Sequence, residues 1–113
     1  MAALYRVYFT ASMGNSIGIF FLGNGIIEGV DVGGLGYQGK YEQAQKDAPL
    51  IGVVNFVVPP NTSLITGFTT GSTSNSMPIH ISLPSNFANG EVIRIETPTG
   101  PINARFELVR DLS

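Results

Sequence analysis

A chain of 113 residues with 43 % hydrophobic and only 12 % charged residues is long enough to bury a modest single core. Its charged share is about half the usual quarter, which disfavours a disordered chain. The net charge is −2, and the six basic residues Arg6, Lys40, Lys46, Arg94, Arg105 and Arg110 are scattered, so the basic stripe of a nucleic-acid binder is missing.

The chain has no cysteine and one histidine. A disulfide framework and a thiolate metal site are impossible, and a histidine-based site lacks ligands. No cofactor and no metal are expected. Met1–Arg6 lacks a basic region followed by a long apolar one. No apolar run approaches the roughly 18–20 residues of a membrane helix. The expectation is a cytoplasmic protein with no membrane contact. The low charge also points to a surface covered by a partner.

Alternation, not helical periodicity, dominates the chain. The first strand is read at Leu4–Ala11, with Tyr5, Val7 and Phe9 on one face. Met13-Gly14-Asn15 turns the chain into a second strand, Ser16–Leu22, apolar on both faces. Asn24-Gly25 is a two-residue hairpin signal, because both residues tolerate positive φ. It leads to Ile26–Val30 and then to Leu35–Glu42, where Leu35, Tyr37, Gly39 and Tyr41 share a face. Gln43–Pro49 reads as a polar turn with room for one helical turn. The fifth strand, Leu50–Val58, is again apolar on both faces, with only Asn55 polar. Pro59-Pro60-Asn61 ends it, since proline donates no ladder bond.

Beyond that point Ser63–Thr70 reads as a weaker strand, and 69–76 as a mobile polar loop. Ile79, Ile81 and Leu83 alternate with His80 and Ser82. Pro84–Asn89 connects onward, with Asn89-Gly90 as a second hairpin signal. Glu91–Thr97 pairs across Pro98-Thr99-Gly100 with Ile102–Arg110. Eight or nine short strands with short connections predict a single all-β domain over 1–113. The fold class is an antiparallel up-and-down barrel of about eight strands, calycin- or lipocalin-like. Such a closed meander removes its edges.

Catalytic chemistry is not legible. Gly34-Leu35-Gly36-Tyr37-Gln38-Gly39 matches the dinucleotide pattern by letter, but the motif needs a helix start facing the pyrophosphate, and here a strand continues. The alternative is glycine thinning a strand where a neighbour approaches closely. His80 lies on the polar face of its strand without an orienting carboxylate in view. Glu28, Asp31, Glu91 and Glu96 show no paired-carboxylate cleft. Asp31 is read instead as accepting backbone N–H groups in the turn at Gly33-Gly34, so Asn24, Gly25, Asp31 and Gly34 are the structural turn residues. The sequence therefore points to no catalytic residue, no cofactor ligand and no metal ligand.

Two kinds of binding surface remain. Tyr5, Phe9, Tyr37, Tyr41 and Phe106 are the candidates for the barrel lumen, either as packed core or as the wall of a cavity. The two-faced strands offer a second set. Phe20, Leu22, Val54, Phe56 and Val58 are expected to face outward and to form a symmetric homodimer contact. The opposite register would bury them.

The run Gly25-Ile26-Ile27-Glu28-Gly29-Val30-Asp31, followed by Tyr37-Gln38-Gly39, resembles the negative regulators of bacterial type III secretion of the GrlR kind. Leu4–Phe9, Gly18–Leu22 and Ala104–Leu108 are similar to that family's first, second and last strands. The resemblance implies a dimeric calycin-type barrel without enzyme activity that regulates by binding a protein, a transcriptional activator in the founding member. That member uses an acidic loop of alternating Glu and Asp. Residues 42–47 here, Glu-Gln-Ala-Gln-Lys-Asp, carry no such run. The functional expectation is therefore a non-enzymatic regulatory binding protein. A carrier of a small apolar ligand is the main alternative, and an enzyme on a calycin-like scaffold the weaker one.

Overall fold

A computed structural model describes residues 2–113. Its eight strands are β1 (Ala2–Ala11), β2 (Gly14–Gly23), β3 (Ile26–Asp31), β4 (Gly36–Glu42), β5 (Leu50–Val58), β6 (Asn75–Leu83), β7 (Asn89–Thr97) and β8 (Gly100–Asp111). They form one antiparallel sheet in the order β6-β5-β4-β3-β2-β1-β8-β7. The all-β meander expected from alternation is present, and no element among the described residues is helical. The segment 43–49 is a plain turn, closed by the Ala48 N–H donating to the Gln45 carbonyl at 2.9 Å.

The sheet curls into a half-barrel. Its edge strands β6 and β7 lie beside each other, but no ladder joins them. Closure is by side chains: Met77, Ile79 and Leu83 of β6 and Ile95 of β7 share one core. The edges that a fully closed barrel would abolish therefore persist. Asn89-Gly90 is the irregular start of β7 rather than a hairpin turn. Gly90 has φ +86°, and the register with β8 shifts between Asn89 and Val92.

Asn24 and Gly25 turn the β2–β3 hairpin with φ 53° and 80°. Both values are positive, as a two-residue primed turn requires. At Gly39, glycine has a different cause. A Cβ there would run into the β5 backbone at Val53, so the two strands approach too closely for a side chain.

The inward set of β1 is Ala3, Tyr5, Val7 and Phe9, all buried. Register then carries this choice around the sheet. Tyr5 pairs with Phe20 and Ala3 with Leu22; Tyr37 pairs with Phe56 and Gly39 with Val54. Directly paired residues point to the same side. Phe20, Leu22, Val54, Phe56 and Val58 are consequently core residues, each at most 8 % exposed. This corrects their assignment to an outward dimer contact. A one-residue change of register flips a whole strand, and the opposite register is the one adopted.

Candidate functional site

The two ends of the half-barrel are built differently. At one end, the β6–β7 connection brings in Phe87, which is 3 % exposed. Its ring lies 5.0 Å from Tyr5 and 5.2 Å from Phe106, centroid to centroid. This aromatic plug fills the end where β1, β3, β5 and β7 begin.

The segment 59–74 spans the other end. The expected strand at Ser63–Thr70 is only an isolated bridge between Ser63 and Thr69. The segment folds as a tight loop with Leu64 turned inward and buried. Thr70, 3 % exposed, holds it: its hydroxyl donates to the Pro59 carbonyl at 2.7 Å and accepts the Thr62 N–H at 2.8 Å. The Met13 N–H donates to the Ile65 carbonyl at 2.7 Å, and the hydroxyls of Thr66 and Thr99 lie 3.0 Å apart. The loop is thus tied to the β1–β2 and β7–β8 turns, across the mouth of the barrel.

Below it lies a cavity of about 220 Å³. Phe9, Phe56, Leu64, Ile79 and Ile102 supply apolar wall, while Ser16, Ser63, Thr66, Thr97 and Thr99 supply hydroxyl-bearing wall. A smaller apolar void of about 60 Å³ continues into the barrel and shares Phe9, Tyr37, Ile79 and Ile102 with it. Tyr37 is stacked between Phe56 (4.6 Å, 15°) and Phe9 (6.1 Å, 14°), so the three near-parallel rings form one aromatic stack in the cavity wall.

The polar centre of the cavity is Asp31, at the end of β3 and only 8 % exposed. Its Oδ1 accepts the N–H groups of Gly33 (2.9 Å) and Leu35 (3.1 Å), and its Oδ2 accepts the Tyr37 hydroxyl (2.8 Å). The first two bonds are those expected of a turn aspartate, with Gly34 at φ +81° allowing the backbone to fold around the carboxylate. The Tyr37 bond goes beyond that turn chemistry. Both residues lie at inward positions on either side of a tight turn, and that shared facing is the signal that could have joined them. Burial first, then the adjacent Asp31 charge and the hydrogen bond to it, push the Tyr37 phenol well above its ordinary value. Among the residues lining the cavity there is no Lys, Arg or His.

The lumen candidates fall where the alternation put them. Tyr5, Phe9 and Phe106 are buried, and Tyr37 and Tyr41 pack against the same core. Tyr37 and Phe9 reach the cavity, whereas Tyr5 and Phe106 contact the Phe87 plug. His80 is exposed on the outer face of β6, and Glu28, Glu91 and Glu96 are exposed. No group of three His, Cys, Asp or Glu side chains among the described residues is arranged to hold a metal ion. No helix among the described residues is long and apolar enough to cross a membrane.

The outside of the sheet is divided. On β1 and β8 it is charged: Arg6 and Arg105 both bond Glu107, at 3.1 and 2.9 Å, and Arg105 lies 4.3 Å over the Tyr8 ring. Chiefly through Arg6, these guanidinium groups hold the Glu107 carboxyl below its ordinary value. On β2 to β5 it is apolar along one row. Ile19 pairs with Val30, Val30 with Gly36, and Gly36 with Val57. Ile19, Val30 and Val57 are 45, 51 and 45 % exposed. The next outward row, Glu28–Gln38–Asn55, is polar, and beyond it Ile26 and Val53 flank Lys40.

No family model, no curated protein and no solved structure matches the chain.

Proposed function

We propose that this protein acts by binding rather than by catalysis, as a homodimer joined through the outward face of β2 to β5. The observation that carries the reading is the row Ile19–Val30–Gly36–Val57, which crosses four strands without a polar side chain. Exposed contiguous apolar surface of this kind marks an interaction site. A second copy is the occupant that suits it. Beside the row, the same face carries one anion, Glu28, and one cation, Lys40, on neighbouring strands, with Gln38 and Asn55 between them. A two-fold contact can set each against the other while the apolar rows cover themselves. A standard interface takes ~800 Å² per partner, about an eighth of this protein's 6438 Å².

Regulation by protein contact, of the kind the resemblance to type III secretion negative regulators implies, is the role such a dimer would serve in the cytoplasm, with a transcriptional regulator as the protein partner. The missing acidic loop means that any such partner is met by other residues. A second reading is a carrier of a small, largely apolar ligand, favoured by the cavity beneath the 59–74 loop. Native mass spectrometry tests both together. The homodimer reading expects twice the 12.0 kDa chain mass, and the carrier reading expects an added small-molecule mass lost on denaturation. A bare monomer would count against both.

A further inference from the structure

We infer that the cavity at the loop-covered end is a site for a small ring alcohol or phenol, whose hydroxyl donates to Asp31. The inference deepens the carrier reading and rests on it. A carboxylate is acceptor-only, with about four lone-pair positions on its two oxygens. Three donors reach Asp31: two N–H groups on Oδ1 and one hydroxyl on Oδ2. Oδ2 retains acceptor capacity. The Tyr37 hydroxyl spends its proton on Asp31 and presents only acceptor lone pairs elsewhere. The polar centre of the cavity therefore asks for a donor, and a ligand carboxylate or phosphate would meet like charge with no Lys, Arg or His lining the site.

Size and shape narrow the class. An apolar cavity of about 150 Å³ holds benzene, and drug-sized sites begin near 300 Å³. At about 220 Å³ the site suits one or two rings. The stacked Phe9, Tyr37 and Phe56 rings all line the cavity and give such a ligand aromatic wall to pack against. Tyr37 itself serves as the internal precedent, since its phenol already meets Oδ2 at 2.8 Å.

The probes are p-cresol, toluene and benzoate, titrated into isotope-labelled protein and followed by amide chemical shifts. p-Cresol differs from toluene by one hydroxyl. A hydrogen bond to a charged acceptor supports binding tighter by about tenfold or more. The expected result is saturable p-cresol binding that shifts residues 31–37 and 63–66, with toluene at least about tenfold weaker and benzoate not binding. Asp31→Asn replaces the charged acceptor by a neutral amide and should narrow the preference for p-cresol over toluene. Tyr37→Phe frees Oδ2 for the ligand hydroxyl, so the preference for p-cresol over toluene should widen. That second variant keeps the test decisive if Asp31→Asn does not fold. Equal binding of toluene and p-cresol overturns the inference while the carrier reading stands. Preferential binding of benzoate likewise overturns the inference while the carrier reading stands, whereas failure of p-cresol, toluene and benzoate alike to saturate removes the inference and counts against the carrier reading with it.

Discussion

Strands β2 and β5 carry apolar side chains on both faces, and the two faces have different fates. Phe20, Leu22, Val54, Phe56 and Val58 pack into the core. Ile19, Val53 and Val57, one residue away along the same strands, stand half in solvent. Similar chemistry thus does two jobs. The inner set has aromatic and aliphatic neighbours on every side, as Phe20 does with Phe9 at 5.8 Å and Tyr37 at 4.9 Å. The outer set has only its own row. Inner residues decide whether the chain folds, while outer ones are left for what the folded protein meets.

The largest effects should come from the inner face. Phe20→Glu places a carboxylate among Phe9, Tyr37 and the Gly29 backbone with no partner. Removing a buried Phe side chain alone costs ~3–5 kcal/mol, and an unpaired buried charge adds to that. The expected outcome is loss of the β signal in circular dichroism at room temperature. A folded Phe20→Glu protein would contradict the register. At the plugged end, Phe87→Ala should cost ~3–5 kcal/mol by the same reasoning, read as a lower denaturation midpoint. A change below about 1 kcal/mol, the centre of ordinary point mutations, would mean that the plug is not part of the core. A smaller effect is expected at the hairpin. Gly25 sits at φ +80°, which a β-branched residue tolerates poorly, so Gly25→Val should destabilise by roughly 1 kcal/mol or more. An unchanged denaturation curve would remove the turn from the account.

Much of this architecture was legible along the chain, and the reason is local. Strands β1 to β5 are bounded by turns whose residues carry their own conformational preference, as at Asn24-Gly25. The Asp31 turn was legible because a short acidic side chain reaches N–H groups two and four residues ahead. The facing of β2 and β5 was harder, since both faces are apolar and alternation alone does not rank them. Asn55 held the answer: the one polar side chain of β5 shares its face with Ile51, Val53 and Val57, and a lone polar group on a strand belongs toward water. The loop over the mouth and the Phe87 plug depend on long-range packing. Leu64 and Phe87 acquire meaning only when the curled sheet offers an open end, so serine- and threonine-rich 63–70 imitated a strand and Asn89-Gly90 imitated a hairpin. The half-open closure escaped for a similar reason, because nothing local distinguishes an edge strand from a paired one here.

The outer face gives the sharpest test. Ile19→Glu adds a charge at a half-exposed position, where the effect on folding should stay within about 0.5 kcal/mol. In a two-fold contact the same charge is desolvated and felt twice. Size-exclusion chromatography with light scattering on the unmodified chain and on Ile19→Glu, read beside circular dichroism, measures this directly. The expected result is a dimer for the unmodified chain and a monomer of unchanged β content for the variant. A monomeric unmodified chain at high micromolar concentration, or a variant that remains dimeric, would contradict it.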